Sequence, residues 1–341
     1  MNILFLYNHP HPVHGAWAES IHAEFVQDRV TFRIPGISRI IKSCITAFKI
    51  PRNTDLVLCE SFSQLIAGSI WKFFHRRKKL ACIVSDPKMH YLQESGISKK
   101  FYFWMLKRCN LLIPTSPLMA SFIPSSLKKM MVFPYVNLAR YTRHHASSRH
   151  VIIFTGRIGA EKGADRALHA FQKVKKEIPE AEMYFIGFGD LQQKLESMNI
   201  KGAHFVGWQN HPEEYLKKGS LYLSLARIEP AGIAVLEAMA MGLVPLVSTG
   251  VGNQYIVKKI SQQLVVKDEE AASRVIIKLW KHPELLRQYS EKAKKIVQHY
   301  NAEESMEQFR KAMQSLGVKK FKPFSEEEIE KYKPSLKPYA S

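Results

Sequence analysis

Short apolar runs alternate with stretches of helical periodicity along the whole chain. In the first half the runs predict strands at 3–7, 55–59, 80–84, 111–114 and 131–133, separated by helices at 17–27, 37–48, 62–75, 99–107 and 117–123. The rhythm stops at 140–150, RYTRHHASSRH, which is polar and lacks an apolar period, and then restarts. Beyond it, strands are expected at 151–154, 182–186, 203–206, 221–225 and 244–247, and helices at 163–176, 190–196, 212–217, 232–240 and 270–280. Two more helical stretches follow, at 284–299 and 302–316. Strands alternating with helices build right-handed βαβ units, and hence parallel sheets covered on both faces. The fold class is therefore α/β, with two doubly wound domains, one at 1–140 and one at 151–300, joined by a linker at 141–150. Residues 301–341, a helix and a tail rich in Lys, Pro and Glu, are candidates to pack back on the first domain.

A length of 341 residues suits two domains, and 46% hydrophobic residues suffice for two cores. The net charge of +20 is uneven. Residues 1–145 hold 20 Lys+Arg and 7 Asp+Glu, or +13, while the remainder holds 30 and 23, or +7. A field of that sign suits nucleic acid, an anionic membrane or a phosphorylated substrate, and equally a set of solvated Lys faces. The four cysteines form no C-x-x-C pair, and Cys59 and Cys82 sit in apolar runs as buried free thiols, which points to a reducing compartment. The start, MNILFLYNHP, has no basic n-region, and no apolar run approaches the roughly 18 residues that span a bilayer. The expectation is a cytoplasmic protein whose membrane contact, where it has one, is peripheral.

The most informative segment is 227–242, RIEPAGIAVLEAMAMG. Pro230 and Gly232 signal a helix start. The helix that follows is almost wholly apolar, yet carries Glu237. Burying a carboxylate demands a polar partner. Glu237 either meets a buried Lys or Arg, or lies on a helix edge facing water, or accepts a ligand hydroxyl pair such as a ribose offers. Glu229 lies eight residues earlier, about 12 Å away if the span were helical, so the two carboxylates could address two ends of one extended ligand. The helix N-terminus between them suits phosphate. A second segment, 155–163, TGRIGAEKG, follows a predicted strand directly and brings Arg157 and Lys162 to a short loop at the sheet's carboxyl edge.

With both segments in view, the chain resembles the large family of retaining glycosyltransferases that includes bacterial mannosyl- and glucosyltransferases and sucrose synthase, the group 1 type of glycosyltransferase family 4. The family's E-x7-E signature, within E-G-F-G-x-x-x-L-E-A-M-A-x-G, reads EPAGIAVLEAMAMG from Glu229 to Gly242; its G-R-x(4-5)-K-G reads GRIGAEKG from Gly156 to Gly163. The resemblance covers roughly 130–270 well and 1–130 loosely. It implies the GT-B fold, with two Rossmann-like domains facing across a cleft. The implied reaction moves a sugar from a nucleotide diphosphate donor to an acceptor hydroxyl. Glu237 would bind the donor ribose and Glu229 the sugar hydroxyls. Arg157 and Lys162 would hold the diphosphate, and backbone amides near Gly232 and Ile233 would meet sugar and phosphate. Gly207 and Trp208 would lie near the nucleobase. No metal or other cofactor is implied, because the cations and the helix dipole carry the phosphate charge. The sequence departs from the family at Pro230 and Ala231, which replace Gly-Phe, and at 250–255, GVGNQY, which replaces G-G-x-x-E.

The first half is less specific. Gly15, in HGAWAE, is either the family's phosphate-closing loop or a plain turn, and the tract His9, His11, His14 reads as solvated histidines rather than a metal site. Asp86, after the strand at 80–84, either serves the acceptor hydroxyl or caps a turn before Pro87, with His90 a weaker candidate. Two basic-aromatic segments, 71–79 (WKFFHRRKK) and 99–108 (KKFYFWMLKR), fit an anionic membrane surface bearing a lipid-linked or cell-surface glycan acceptor, or else buried helix faces with solvated lysines. A nucleic-acid partner is not expected, for no recognition helix or stacking sheet is evident. Two alternatives to the transferase remain: another sugar-nucleotide enzyme of the same fold, epimerase-like, or an inactive scaffold.

Overall fold

The computed structural model describes residues 1–8, 11–28, 36–86, 96–141 and 149–323. It divides into two compact units, Met1–Pro134 with Ala302–Ser341, and Tyr135–Asn301. The expected linker at 141–150 lies mostly outside the described residues, and the division falls a few residues before it, between Pro134 and Tyr135.

In the first unit, β1 (Ile3–Tyr7), β2 (Glu24–Gln27), β3 (Leu56–Cys59), β4 (Lys79–Val84) and β5 (Leu111–Pro114) form a parallel sheet in the order β2-β1-β3-β4-β5. All four β3 residues are buried, as expected for a parallel strand covered on both faces. Leu4, Val57, Leu80 and Leu112 join the helices' Leu65, Trp71 and Tyr102 in one core. Two expectations are corrected here. Residues 17–27 are not one helix: the helix is Pro12–Ser20, and 24–27 turn out as β2, pairing Phe25 with Phe5. The short apolar segment has one strand face to offer β1, and the ladder outweighs its helical pattern. Residues 131–133 are not a strand: the segment runs beside β5, with the isolated Leu112–Lys129 bridge and the Val132 N–H donating to the Pro114 carbonyl at 3.1 Å, and forms no continuous ladder.

The helix Ala302–Gln314 belongs to this unit. Trp17 stacks on Phe309 with ring centroids 5.4 Å apart, and its indole N–H donates to Ser305 Oγ at 3.1 Å. Ser305 in turn donates to the Phe133 carbonyl at 2.6 Å. Cys59 and Cys82 are buried and free, as the sequence implied.

In the second unit, β6 (Val151–Thr155), β7 (Glu182–Ile186), β8 (Ala203–Gly207), β9 (Leu221–Ser224), β10 (Val244–Ser248) and β11 (Val265–Val266) run in the order β11-β10-β9-β6-β7-β8, all parallel. Counted within the unit this is the 3-2-1-4-5-6 order of dinucleotide-binding sheets. Its switch point lies between β6 and β9, where such sheets bind ligands beyond the strands' carboxyl ends. The short β11 and the helix Gln254–Ile260 were not anticipated from the sequence.

Candidate active site

The loops after β6 and β9 flank that switch point, so the two informative segments meet in the folded chain. Gly163 makes the first approach possible. It caps the helix Ala164–Glu177 at φ 70°, and a Cβ there would stand 2.0 Å from the Leu225 carbonyl oxygen, so only glycine lets the two loops touch. Arg227 fastens them further: its guanidinium takes both Asp165 carboxylate oxygens, at 2.9 and 2.7 Å, and donates to the Ala160 carbonyl.

Between these loops Lys162 pairs with Glu229. The other Glu229 oxygen accepts the Gly232 backbone N–H at 3.4 Å, so one carboxylate links the cation to the start of the helix Ile233–Ala240. The helix is capped by Gly232 at φ 73°, and Pro230 lies before the cap rather than at the first helical position. Residues 250–253, where the sequence departs from the family pattern, brace this corner. Glu229 N–H donates to the Gly250 carbonyl at 2.9 Å, Gly252 N–H to the Glu229 carbonyl at 2.7 Å, and the Asn253 amide to the Gly232 carbonyl at 3.0 Å. Asn253 is a positioning residue that the sequence reading missed. Arg157 is exposed and pairs with Asp190 at 3.2 Å.

Glu237 is half-buried one turn inside the helix. Burial pushes its carboxyl up, and the Tyr141 hydroxyl, which donates to it, and the Arg140 charge oppose that push. Burial above all, and then the neighbouring Glu237 charge, raise the Tyr141 phenol strongly. Arg140 also binds Glu213, through Nε at 3.1 Å and a terminal nitrogen at 2.9 Å. The buried Tyr222 hydroxyl, 3.2 Å from Thr155 Oγ1, feels both Glu229 and Glu237. Glu237 thus has protein partners, Tyr141 and Arg140, on a helix that starts at the sheet's carboxyl edge. Arg140 with Tyr141, Glu213 and Tyr222 come from three separate segments, and no local motif announces them.

Past β7 and β8, Trp208 is exposed and meets Phe188 edge to face at 6.3 Å. Gly207 holds φ 69° with open space where a Cβ would point. This leaves an aromatic surface at the same sheet edge.

The first unit's candidates fall out differently. Gly15 is not in a loop: it is buried in the helix Pro12–Ser20, and its N–H donates to the His11 carbonyl at 2.9 Å. Pro12 at the first helical position starts the helix before Gly15 is reached. His14 is buried rather than solvated, with Nδ1 3.5 Å from Glu60, while His9 lies outside the described residues. Asp86 is half-buried just past β4; Pro87 and His90 lie outside the described residues.

The family described as "Glycosyl transferases group 1" matches residues 141–296. That segment is a group 1 glycosyl transferase domain. An uncharacterized glycosyltransferase of Methanocaldococcus jannaschii is 22% identical over 217 residues, covering 59% of this chain and 50% of its own. The poly(glycerol-phosphate) alpha-glucosyltransferase of Bacillus subtilis is 24% identical over 210 residues, covering 57% of this chain and 30% of its own. The chain thus spans half or less of the length of these curated relatives. HepE of Anabaena, solved in complex with UDP and glucose, superposes with a TM-score of 0.73 at 14% identity, covering 92% of this chain and 100% of HepE. At that identity the likeness shows the fold, which is GT-B.

Proposed function

We propose that the protein is a retaining glycosyltransferase that moves a sugar from a nucleoside diphosphate sugar to an acceptor hydroxyl. The observation that carries this reading is the convergence of Lys162, Glu229 and the Gly232 helix start at the switch point of the second sheet, with Glu237 on the same helix. Lys162 and Arg157 are the groups for the donor diphosphate, both able to exchange a carboxylate partner for phosphate oxygens. The amides of Gly232 and Ile233 add fixed donors. Glu229 addresses the sugar, Glu237 the ribose, and Gly207 with Trp208 the base. HepE's complex with UDP makes a uridine donor the first to test.

In the reaction the acceptor oxygen bonds to the anomeric carbon on the face the diphosphate leaves. The acceptor proton passes to the departing phosphate, and Lys162, Arg157 and the helix dipole stabilise the charge that develops. No metal is required, since these groups already supply positive charge. The acceptor is a lipid-linked or cell-surface glycan, met at the cytoplasmic face of an anionic membrane. Among the described residues no helix is long and apolar enough to cross a membrane.

The test is a thermal-shift panel of UDP, GDP and ADP with their sugars. A ligand that binds only the folded state raises its melting temperature. One base should give a shift that Arg157→Ala reduces. No shift with any nucleotide at millimolar concentration would overturn the reading in favour of an inactive scaffold.

A further inference from the structure

The helix Gly36–Lys49 is amphipathic in an inverted sense. Its inward residues are small: Ser43 and Ala47 are buried. Its described large apolar residues, Ile40, Ile41, Ile45 and Phe48, are exposed. Ile41, Ile45 and Phe48, spaced i, i+4, i+7 and hence on one stripe, are 54%, 51% and 74% exposed. Lys42 and Lys49, also exposed, flank that stripe.

The stripe continues onto two neighbouring helices. Phe48 meets Phe74 with ring centroids 5.8 Å apart, and Phe74 meets Phe73 at 5.3 Å. The Arg108 guanidinium bridges Phe73, at 4.9 Å, and Trp104, at 4.3 Å; Trp104 stacks on Phe101 at 5.7 Å. Of the twelve exposed large hydrophobics among the described residues, eight belong to this one tract, so they are a patch and not scatter. The patch is set in cations without counter-charge nearby in sequence: no Asp or Glu occurs in 29–54, 61–85 or 95–160. Burial and the Arg108 charge hold Lys72 below the usual lysine range, and burial and Arg76 lower Arg108. Cations crowded around exposed apolar rings match a surface that is anionic at its face and apolar just beneath.

We propose that the first unit docks on an anionic lipid bilayer through this face, with Ile41, Ile45 and Phe48 set into the headgroup–acyl boundary. This deepens the reading of a membrane-borne acceptor by naming the surface, and it is independent of the donor chemistry. An interfacial helix buries its apolar stripe about 5–10 Å deep and gains from each flanking cation. The basic-aromatic segments 71–79 and 99–108 supply the two flanking patches; the inserted helix is a third element.

The experiment is co-sedimentation of the full chain with vesicles of phosphatidylglycerol and phosphatidylcholine, against phosphatidylcholine alone. The wild type should bind the anionic vesicles at low salt and be released at high salt. Ile41→Ser with Phe48→Ser should lower partitioning at least about tenfold while leaving the melting temperature unchanged, since both side chains are exposed. Lys42→Glu with Lys49→Glu should weaken binding to anionic vesicles alone. Equal binding of the wild type to both vesicle types, or wild-type binding by the Ile41/Phe48 variant, would overturn the proposal. So would a dimer in sedimentation velocity that the Ile41/Phe48 variant converts to monomer without altered vesicle binding, because the face would then pair two copies. The nucleotide shift is measured on the same variants. A retained shift without vesicle binding sinks the docking face and leaves the transferase standing; vesicle binding without any shift does the reverse.

Discussion

Glu237 shows how one residue's chemistry is set by groups far from it in sequence. In the proposed ribose-binding role its carboxyl must be ionised to accept two hydroxyls, yet burial favours the protonated form. Tyr141 and Arg140 work against burial, Glu213 works with it, and Tyr222 lies within electrostatic reach. Donor affinity should therefore fall on acidification at a pH above the ordinary carboxylate range. Tyr141→Phe removes a hydrogen bond that lowers the Glu237 pKa, so the pKa rises and the acid limb of donor binding moves to higher pH. Calorimetric titration of the nucleoside diphosphate across pH measures this. A limb in the same place in both proteins would remove Tyr141 from the role. Because Tyr141 acts through Glu237, a loss of affinity that was uniform at every pH would also count against it.

At the scale of elements, the loops of the second sheet depend on glycines that admit a close backbone approach. Gly163→Ala would force a side chain into the αL region and against the Leu225 carbonyl. The expected cost is at least about 2 kcal/mol of stability, with loss of donor binding as Lys162 is carried away from Glu229. Chemical denaturation and nucleotide titration of this variant check both parts. The helix Gly36–Lys49 makes the complementary point. Its apolar period is strong in the sequence, and a period of that kind reads as a core face. The structure instead buries the small residues and exposes the large ones, because the close approach to the helix Phe62–Phe74 is made on the Ser43–Ala47 side.

At the scale of the molecule, the chain leaves the second unit at Asn301 and returns to the first through the helix Ala302–Gln314. Trp17 and Phe309 lie almost three hundred residues apart and stack at 10° between ring planes. Phe309→Ala should empty a fully buried site and cost about 3–5 kcal/mol, read as a lower unfolding midpoint in denaturant. An unchanged midpoint would show that the returning helix adds little to the first unit's stability. The sequence named residues 301–341 as candidates to pack back on the first domain, and the helix Ala302–Gln314 does so.

The sequence alone determined the alternation of strand and helix, the two-sheet architecture and the segments 155–163 and 227–242. These are local properties: apolar period, glycine and proline punctuation, and chemically committed residues at short spacing. It misjudged 17–27 and 131–133, where short apolar runs suit helix, strand or neither, and only the ladder with β1 or the sparse pairing with β5 settles which. Tertiary structure alone decided the strand order that sets the two loops at a switch point. It also decided the bracing of Glu229 by 250–253, and the gathering of Arg140, Tyr141, Glu213 and Tyr222 around Glu237. Which apolar stripe faces solvent was likewise a tertiary outcome. Those outcomes depend on contacts between residues tens to hundreds of positions apart, and a local pattern holds no information about which distant surface will meet it.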